Sequence, residues 1–155
     1  GRVMSSPAGI DCTAGSCSAD FANGTPVILA SLPDQDSLFA GWGSRCGGSG
    51  SCDLTLRSDT SVWATFTYVQ PARTSGTSYF DTISAAYAAL PVPAGGTIQA
   101  RQFTFAENPD FDRSIPVMLT GGFNAAYSNN TGYATIQGTV TVARGSLTVD
   151  RVVVR

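Results

Sequence analysis

The densest cluster of ionisable side chains in the sequence is Glu107-Asn108-Pro109-Asp110-Phe111-Asp112-Arg113, and Glu107 is the chain's single glutamate. Such a segment suggests two chemistries. Two carboxylates facing each other across a cleft at ~5 to 9.5 Å cleave glycosidic bonds, and six to eight oxygens from acids and carbonyls hold calcium. Neighbours in a turn rarely face one another across a cleft, and neither an EF-hand loop nor a Gly-Gly-x-Gly-x-Asp repeat is present. The segment therefore reads as a polar turn around Pro109, with a weak calcium loop near Asp110 as the alternative. Asp34-Gln35-Asp36 after Pro33, and Asn129-Asn130-Thr131 before Gly132, read the same way.

The other chemistries fail on composition. With no His in the sequence, Ser-His-Asp and Cys-His arrangements, imidazole metal ligands and imidazole proton transfer are excluded. All nine cationic side chains are arginines, so Schiff bases and P-loop phosphate binding are excluded too. They are scattered, and the net charge is -2, so no basic stripe exists to neutralise phosphates and nucleic acid is not an expected partner. The expectation is a protein that is not an enzyme and carries no cofactor or metal. The one enzymatic alternative is a polysaccharide lyase-like fragment working with carboxylates, Arg and Tyr.

Cys12 and Cys17, and Cys46 and Cys52, each bracket a short stretch rich in Gly and Ser. Four cysteines allow three pairings, and sequence does not choose among them. Flexibility and proximity favour two local clips, Cys12 with Cys17 and Cys46 with Cys52, although a bridge closing a longer loop would stabilise more. A four-thiolate zinc site is disfavoured because the second gap exceeds the usual C-x2-4-C spacing. Disulfides place the chain in an oxidising compartment, secreted or at a cell surface. No run is apolar for the ~18 to 20 residues that span a bilayer, and the start at Gly1, without a signal-like segment, suggests a processed product or a piece of a longer chain.

The elements that would position these residues are mostly strands. Charged residues make up 13% of the chain against ~25% in average usage, and the abundance of Thr and Val favours pleated structure. Residues 1–69 read as short strands, Arg2 to Ser5, Pro26 to Ala30, Leu38 to Trp42, Asp53 to Arg57 and Ser61 to Tyr68, the last alternating with period two. Trp42 is expected as a core anchor beside the Cys46 clip. Residues 70–78 are polar and breaker-rich and read as a linker. Phe80, Ile83, Tyr87 and Leu90 predict an amphipathic helix over 79–90, with Ser78 as N-cap and Pro91 as the stop. Beyond Gly95 come strands at Thr97 to Arg101, Phe103 to Phe105, Ile115 to Leu119, Ala134 to Gln137, Thr139 to Ala143 and Ser146 to Val154.

The elements Gly24-Thr25-Pro26-Val27, Phe39-Ala40-Gly41-Trp42-Gly43 and Val62-Trp63-Ala64-Thr65-Phe66, in this order with the four cysteines, resemble the divergent internalin-B-type bacterial repeat over residues 1–69. That resemblance implies a small β-grasp-like sheet in a secreted or surface protein of a bacterium, with no enzymatic role. Residues 78–155 resemble the opening of a right-handed parallel β-helix: an alanine-rich helix, Gly95-Gly96-Thr97-Ile98-Gln99-Ala100-Arg101, then Leu119-Thr120-Gly121-Gly122-Phe123 and Thr135-Ile136-Gln137-Gly138. The helix would cap the first coil, and a two-sheet sandwich is the alternative.

The expected architecture is thus mostly β, with a disulfide-clipped repeat module at 1–69, a linker at 70–78 and a helix-capped β-helix-like module at 79–155. The expected function is that of a non-catalytic extracellular structural or interaction protein, a subunit or decorating chain of a cell-surface assembly or filament. The partner would be another protein or a second copy, and Val152, Val153 and Val154 are the candidate interaction edge. The alternative is a carbohydrate-binding or adhesive module, in which Trp42, Trp63, Tyr127 and Tyr133 are the candidates for stacking on sugar rings.

Overall fold

The computed structural model describes residues 1–75 and 78–155. Among the described residues the fold is mostly β, with several sheets, no closed barrel and one short helix. The chain divides into two compact units, Gly1–Val69 and Gln70–Arg155.

The first unit contains β1 (Arg2–Ser6), β2 (Asp11–Cys12), β3 (Pro26–Leu32), β4 (Ser37–Ser44), β5 (Cys52–Thr55) and β6 (Val62–Tyr68). All its ladders are antiparallel. One sheet runs β2-β1-β3-β5, and β4 pairs with β6. Alternation places Val27 and Leu29 of β3 in the core with Trp42 and Cys52, while Val3, Phe39, Leu54, Val62 and Ala64 pack around them. Phe39 meets Trp42 edge-on, with ring centroids 5.0 Å apart, and lies 5.3 Å from Phe66. Burying several aliphatic and aromatic side chains, at ~1.5 to 3 kcal/mol each, is what holds so small a sheet pair together.

The second unit contains β7 (Ala72–Thr74), β8 (Tyr79–Phe80), α1 (Ile83–Ala88), β9 (Gly96–Arg101), β10 (Thr104–Phe105), β11 (Asp110–Phe111), β12 (Pro116–Phe123), β13 (Ala134–Ile136), β14 (Thr141–Val142), β15 (Ser146–Asp150) and β16 (Val152–Val154). Its later strands form three parallel ladders, each from successive passes of the chain: β9-β12-β15, β10-β13-β16 and β11-β14. β7 and β8 extend the first ladder by antiparallel pairing beyond β9. Residues in register in a parallel ladder share a face, so the interior is built of columns: Ile98 beside Leu119 and Phe105 beside Ile136, with buried Phe111 in register with the half-exposed Val142.

The tight corners before β9 and β15, two of the three strands of the first ladder, require glycine. Gly95 (φ 66°) and Gly145 (φ 74°) lie in the left-handed region, and a Cβ on either would collide with the backbone carbonyl of Pro116 or Ile115 in the neighbouring pass. An L side chain there is both strained and without room.

Three expectations need correction. Residues 70–78 are not simply a linker: Ala72–Thr74 is β7 and Ala72 is fully buried in the second core, while Gly76 and Thr77 lie outside the described residues. The helix is shorter than 79–90. Tyr79 and Phe80 pair with β7, and the N-cap is Thr82, whose hydroxyl accepts from Ala85 N–H, rather than Ser78. The strand expected from Ser146 to Val154 breaks at Arg151, which adopts φ 53° and turns the chain from the first ladder into the second.

Candidate interaction surfaces

The Glu107–Arg113 segment holds the helix. A helix of six residues leaves most of its terminal N–H and C=O groups without intrahelical partners. At its start the Glu107 carboxylate accepts from Ile83 N–H (2.7 Å), Ser84 N–H (3.0 Å) and the Ser84 hydroxyl (2.6 Å). At its end the Arg113 guanidinium donates to the carbonyls of Tyr87 (2.8 Å), Ala88 (3.2 Å) and Leu90 (2.6 Å). An anion at the N-terminus and a cation at the C-terminus both complement the helix dipole. Between the two, Phe111 packs edge-on against Tyr87 at 4.8 Å, and Tyr87 Oη accepts from Arg113 N–H at 2.6 Å.

The polar turn expected around Pro109 therefore contains a strand, β11, and its end residues act on an element more than twenty positions earlier. Asp110 lies exposed on β11, opposite in direction to the buried Phe111, and Asp112 approaches Tyr87 Oη at 3.4 Å. Among the described residues, no group of three or more His, Cys, Asp or Glu is placed to hold a metal ion.

The cysteines form two bonds, Cys12–Cys17 and Cys46–Cys52, with Cα separations of 5.8 and 5.5 Å. The second clip shapes a loop that closes over Trp42. Trp42 N–H donates to Gly48 O (2.9 Å), and its indole Nε1–H donates to Gly50 O (2.6 Å). The first lies beside the Arg2–Asp11 pair, in which Arg2 Nε and Nη2 reach the two carboxylate oxygens at 2.6 and 2.5 Å. Those hydrogen bonds, assisted by the attraction of the two charges, hold the Asp11 carboxyl below the usual aspartate range.

The aromatic candidates separate by burial. Trp42 is buried, as its role in the core requires. Tyr127 is buried too: its hydroxyl donates to Gln70 O (2.9 Å), Arg73 lies over its ring at 4.4 Å, and Phe123 and Tyr79 flank it. Neither can stack on a sugar, and both are withdrawn as candidates. Trp63 and Tyr133 are 60% and 57% exposed.

The candidate edge Val152–Val154 is paired on one side, in register with Ala134, Thr135 and Ile136. It is part of a larger feature that strand patterns alone did not reveal. By register Val149 continues the column of Ile98 and Leu119, Val154 that of Phe105 and Ile136, and Val142 that of Phe111. The earlier members of each column are at most 2% exposed, whereas Val149 is 54%, Val154 51% and Val142 47% exposed. Side chains that face the interior are thus open to solvent at the last layer. Arg144, Asp150, Arg151 and Arg155 stand around them in sequence.

This geometry can be set beside known proteins. Residues 4–70 match the family model of the divergent InlB B-repeat domain. The match begins within β1 and takes in β2 to β6 whole, so it covers nearly all of the disulfide-clipped unit and stops where β7 and the parallel ladders begin. No curated protein and no solved structure matches the chain. A match to a bacterial surface-protein type of repeat domain fits an extracellular interaction module, and the two disulfides of the first unit are compatible with that location.

Proposed function

We propose that this protein is a non-catalytic structural or interaction component on the outside of a bacterial cell. In this reading a B-repeat module is joined to a short β-helix whose last described layer is covered by further polypeptide. The supporting observation is the set of half-exposed interior valines, Val142, Val149 and Val154, beside the open edges of β14, β15 and β16. An apolar core surface with unpaired strand edges is a template for strand addition. The B-repeat match and the disulfides support the extracellular setting. The engagement of Glu107 and Arg113 with the helix termini supports a structural rather than a catalytic role for the acidic segment.

The experiment is size-exclusion chromatography with light scattering on protein taken from its native source, alongside a Val149→Asp/Val154→Asp variant. The reading expects an oligomer or a co-purifying polypeptide that the variant loses while keeping its thermal transition. A monomer with no partner at any concentration overturns the assembly reading. Release of unsaturated oligosaccharide from a pectic or other uronic polymer overturns the non-catalytic one.

A further inference from the structure

The outward face of the β4–β6 ladder bears an aromatic platform that the core does not use. Trp63, Thr65 and Thr67 alternate along the exposed side of β6, opposite Gly43, Gly41 and Leu38 of β4. The indole lies across the strand opposite: a Cβ on Gly43 would run into Trp63 Nε1, Cδ1 and Cε2. One side of the ring therefore rests on Gly43 backbone, and the residue remains 60% exposed. A ring seated over a cross-strand glycine is fixed in orientation, as aromatic rescue of strand glycines requires. Trp42, by contrast, is buried with its indole N–H bonded to Gly50 O.

The chemistry of the face narrows the ligand. Neither Ser37–Ser44 nor Val62–Tyr68 contains a charged residue, so the two strands themselves offer an apolar ring and threonine hydroxyls and no counter-ion. Acidic sugars, phosphorylated groups and charged peptides find no complement on it. A neutral pyranose does, since it presents a face of C–H groups to the ring and a rim of hydroxyls toward Thr65, the next residue on that face, with Thr67 about 13 Å along the strand in reach of the next sugar of a chain.

We propose that Trp63, seated on Gly43 and followed along the same face by Thr65 and Thr67, is a stacking site for a neutral sugar residue of a polysaccharide. The site lies wholly within the B-repeat module and does not depend on the assembly reading, so either can fail without the other.

Because one tryptophan is buried and the other exposed, binding reports directly in fluorescence. Cellohexaose, maltohexaose, xylohexaose and mannohexaose serve as neutral probes, and a galacturonate hexamer as the charged control. The expected result is a saturable blue shift and protection from acrylamide quenching with at least one neutral probe. Trp63→Ala should weaken that binding by about tenfold or more, and Trp63→Phe, which keeps a ring over Gly43, by less. Thermal melts and near-ultraviolet circular dichroism of both variants verify folding. No saturable shift with any neutral probe up to about 10 mM, equal binding by Trp63→Ala, or preference for the charged control overturns the proposal.

Discussion

Replacing Arg113 with Ala should destabilise the second unit far more than loss of an ordinary surface arginine. The guanidinium donates to three carbonyls at the end of α1, two of them at 2.8 and 2.6 Å, and it is partly buried. Hydrogen bonds to charged groups contribute about 1.5 to 3 kcal/mol each, and a cation at a helix C-terminus adds up to ~2 in partly buried geometry. The bonds share one cation and cannot be summed. The 3.2 Å contact to exposed Ala88 is the weakest, so the expected loss is about 3 kcal/mol. For a unit of this size, 1 kcal/mol moves the melting temperature by ~4 to 8 °C, and the shift should be about 12 to 24 °C. The assay is differential scanning calorimetry of Arg113→Ala and Arg113→Lys, with exposed Arg144→Ala as the comparison. Lys reaches fewer carbonyls and should recover only part of the loss. If Arg113→Ala costs no more than Arg144→Ala, about 0.5 kcal/mol or less, the clamp does not hold the helix and the structural account of the acidic segment fails.

Two further outcomes follow from the first unit. Replacing Cys46 and Cys52 together by Ser should destabilise the first unit by about 2 kcal/mol and expose Trp42, whose two hydrogen bonds go to that loop; denaturant melts followed by tryptophan emission read both effects. For Asp11, the folded carboxyl titrates below its unfolded value, so the pair's contribution is present above the unfolded value and disappears as pH falls through the folded one. The pair is exposed, so the effect should be small and should shrink at 1 M salt, where screening acts within ~3 Å; a carboxyl NMR titration of wild type against Arg2→Ala checks the direction.

Much of the strand pattern could be read from the chain because it is local. Val62, Ala64 and Phe66 face the core of the first unit while Trp63, Thr65 and Thr67 face out, a separation the alternation carries by itself. The misplaced elements are those decided by distant partners. Tyr79 and Phe80 lie at helical spacing from Ile83, yet pairing with β7 makes them a strand. Arg151 gives no sequence sign of its left-handed backbone, which is set by the turn from one ladder to the next.

The candidate sites follow the same division. Glu107 and Arg113 look like members of an acidic turn because their partners lie 23 to 26 positions away along the chain. Burial of Tyr127 depends on Arg73 and Gln70, which precede it by more than fifty residues. The exposed ends of the interior columns are legible only once the parallel register is known, since Val142 and Val149 look no different in sequence from buried valines. Composition is the opposite case: a chain with neither His nor Lys lacks the groups that most nucleophilic and proton-transfer chemistries require, wherever its strands lie.

The central claim is that the last described layer of the second unit is covered by further polypeptide. Hydrogen exchange on the protein in its native-source assembly, compared with the isolated chain, tests it most directly. The account predicts that amides of Ser146–Asp150 and Val152–Val154 are slowed at least ~100-fold in the assembly, equivalent to about 2.7 kcal/mol of added protection, while β9 and β12 change little. Equal exchange of β15 and β16 in the two samples would contradict it.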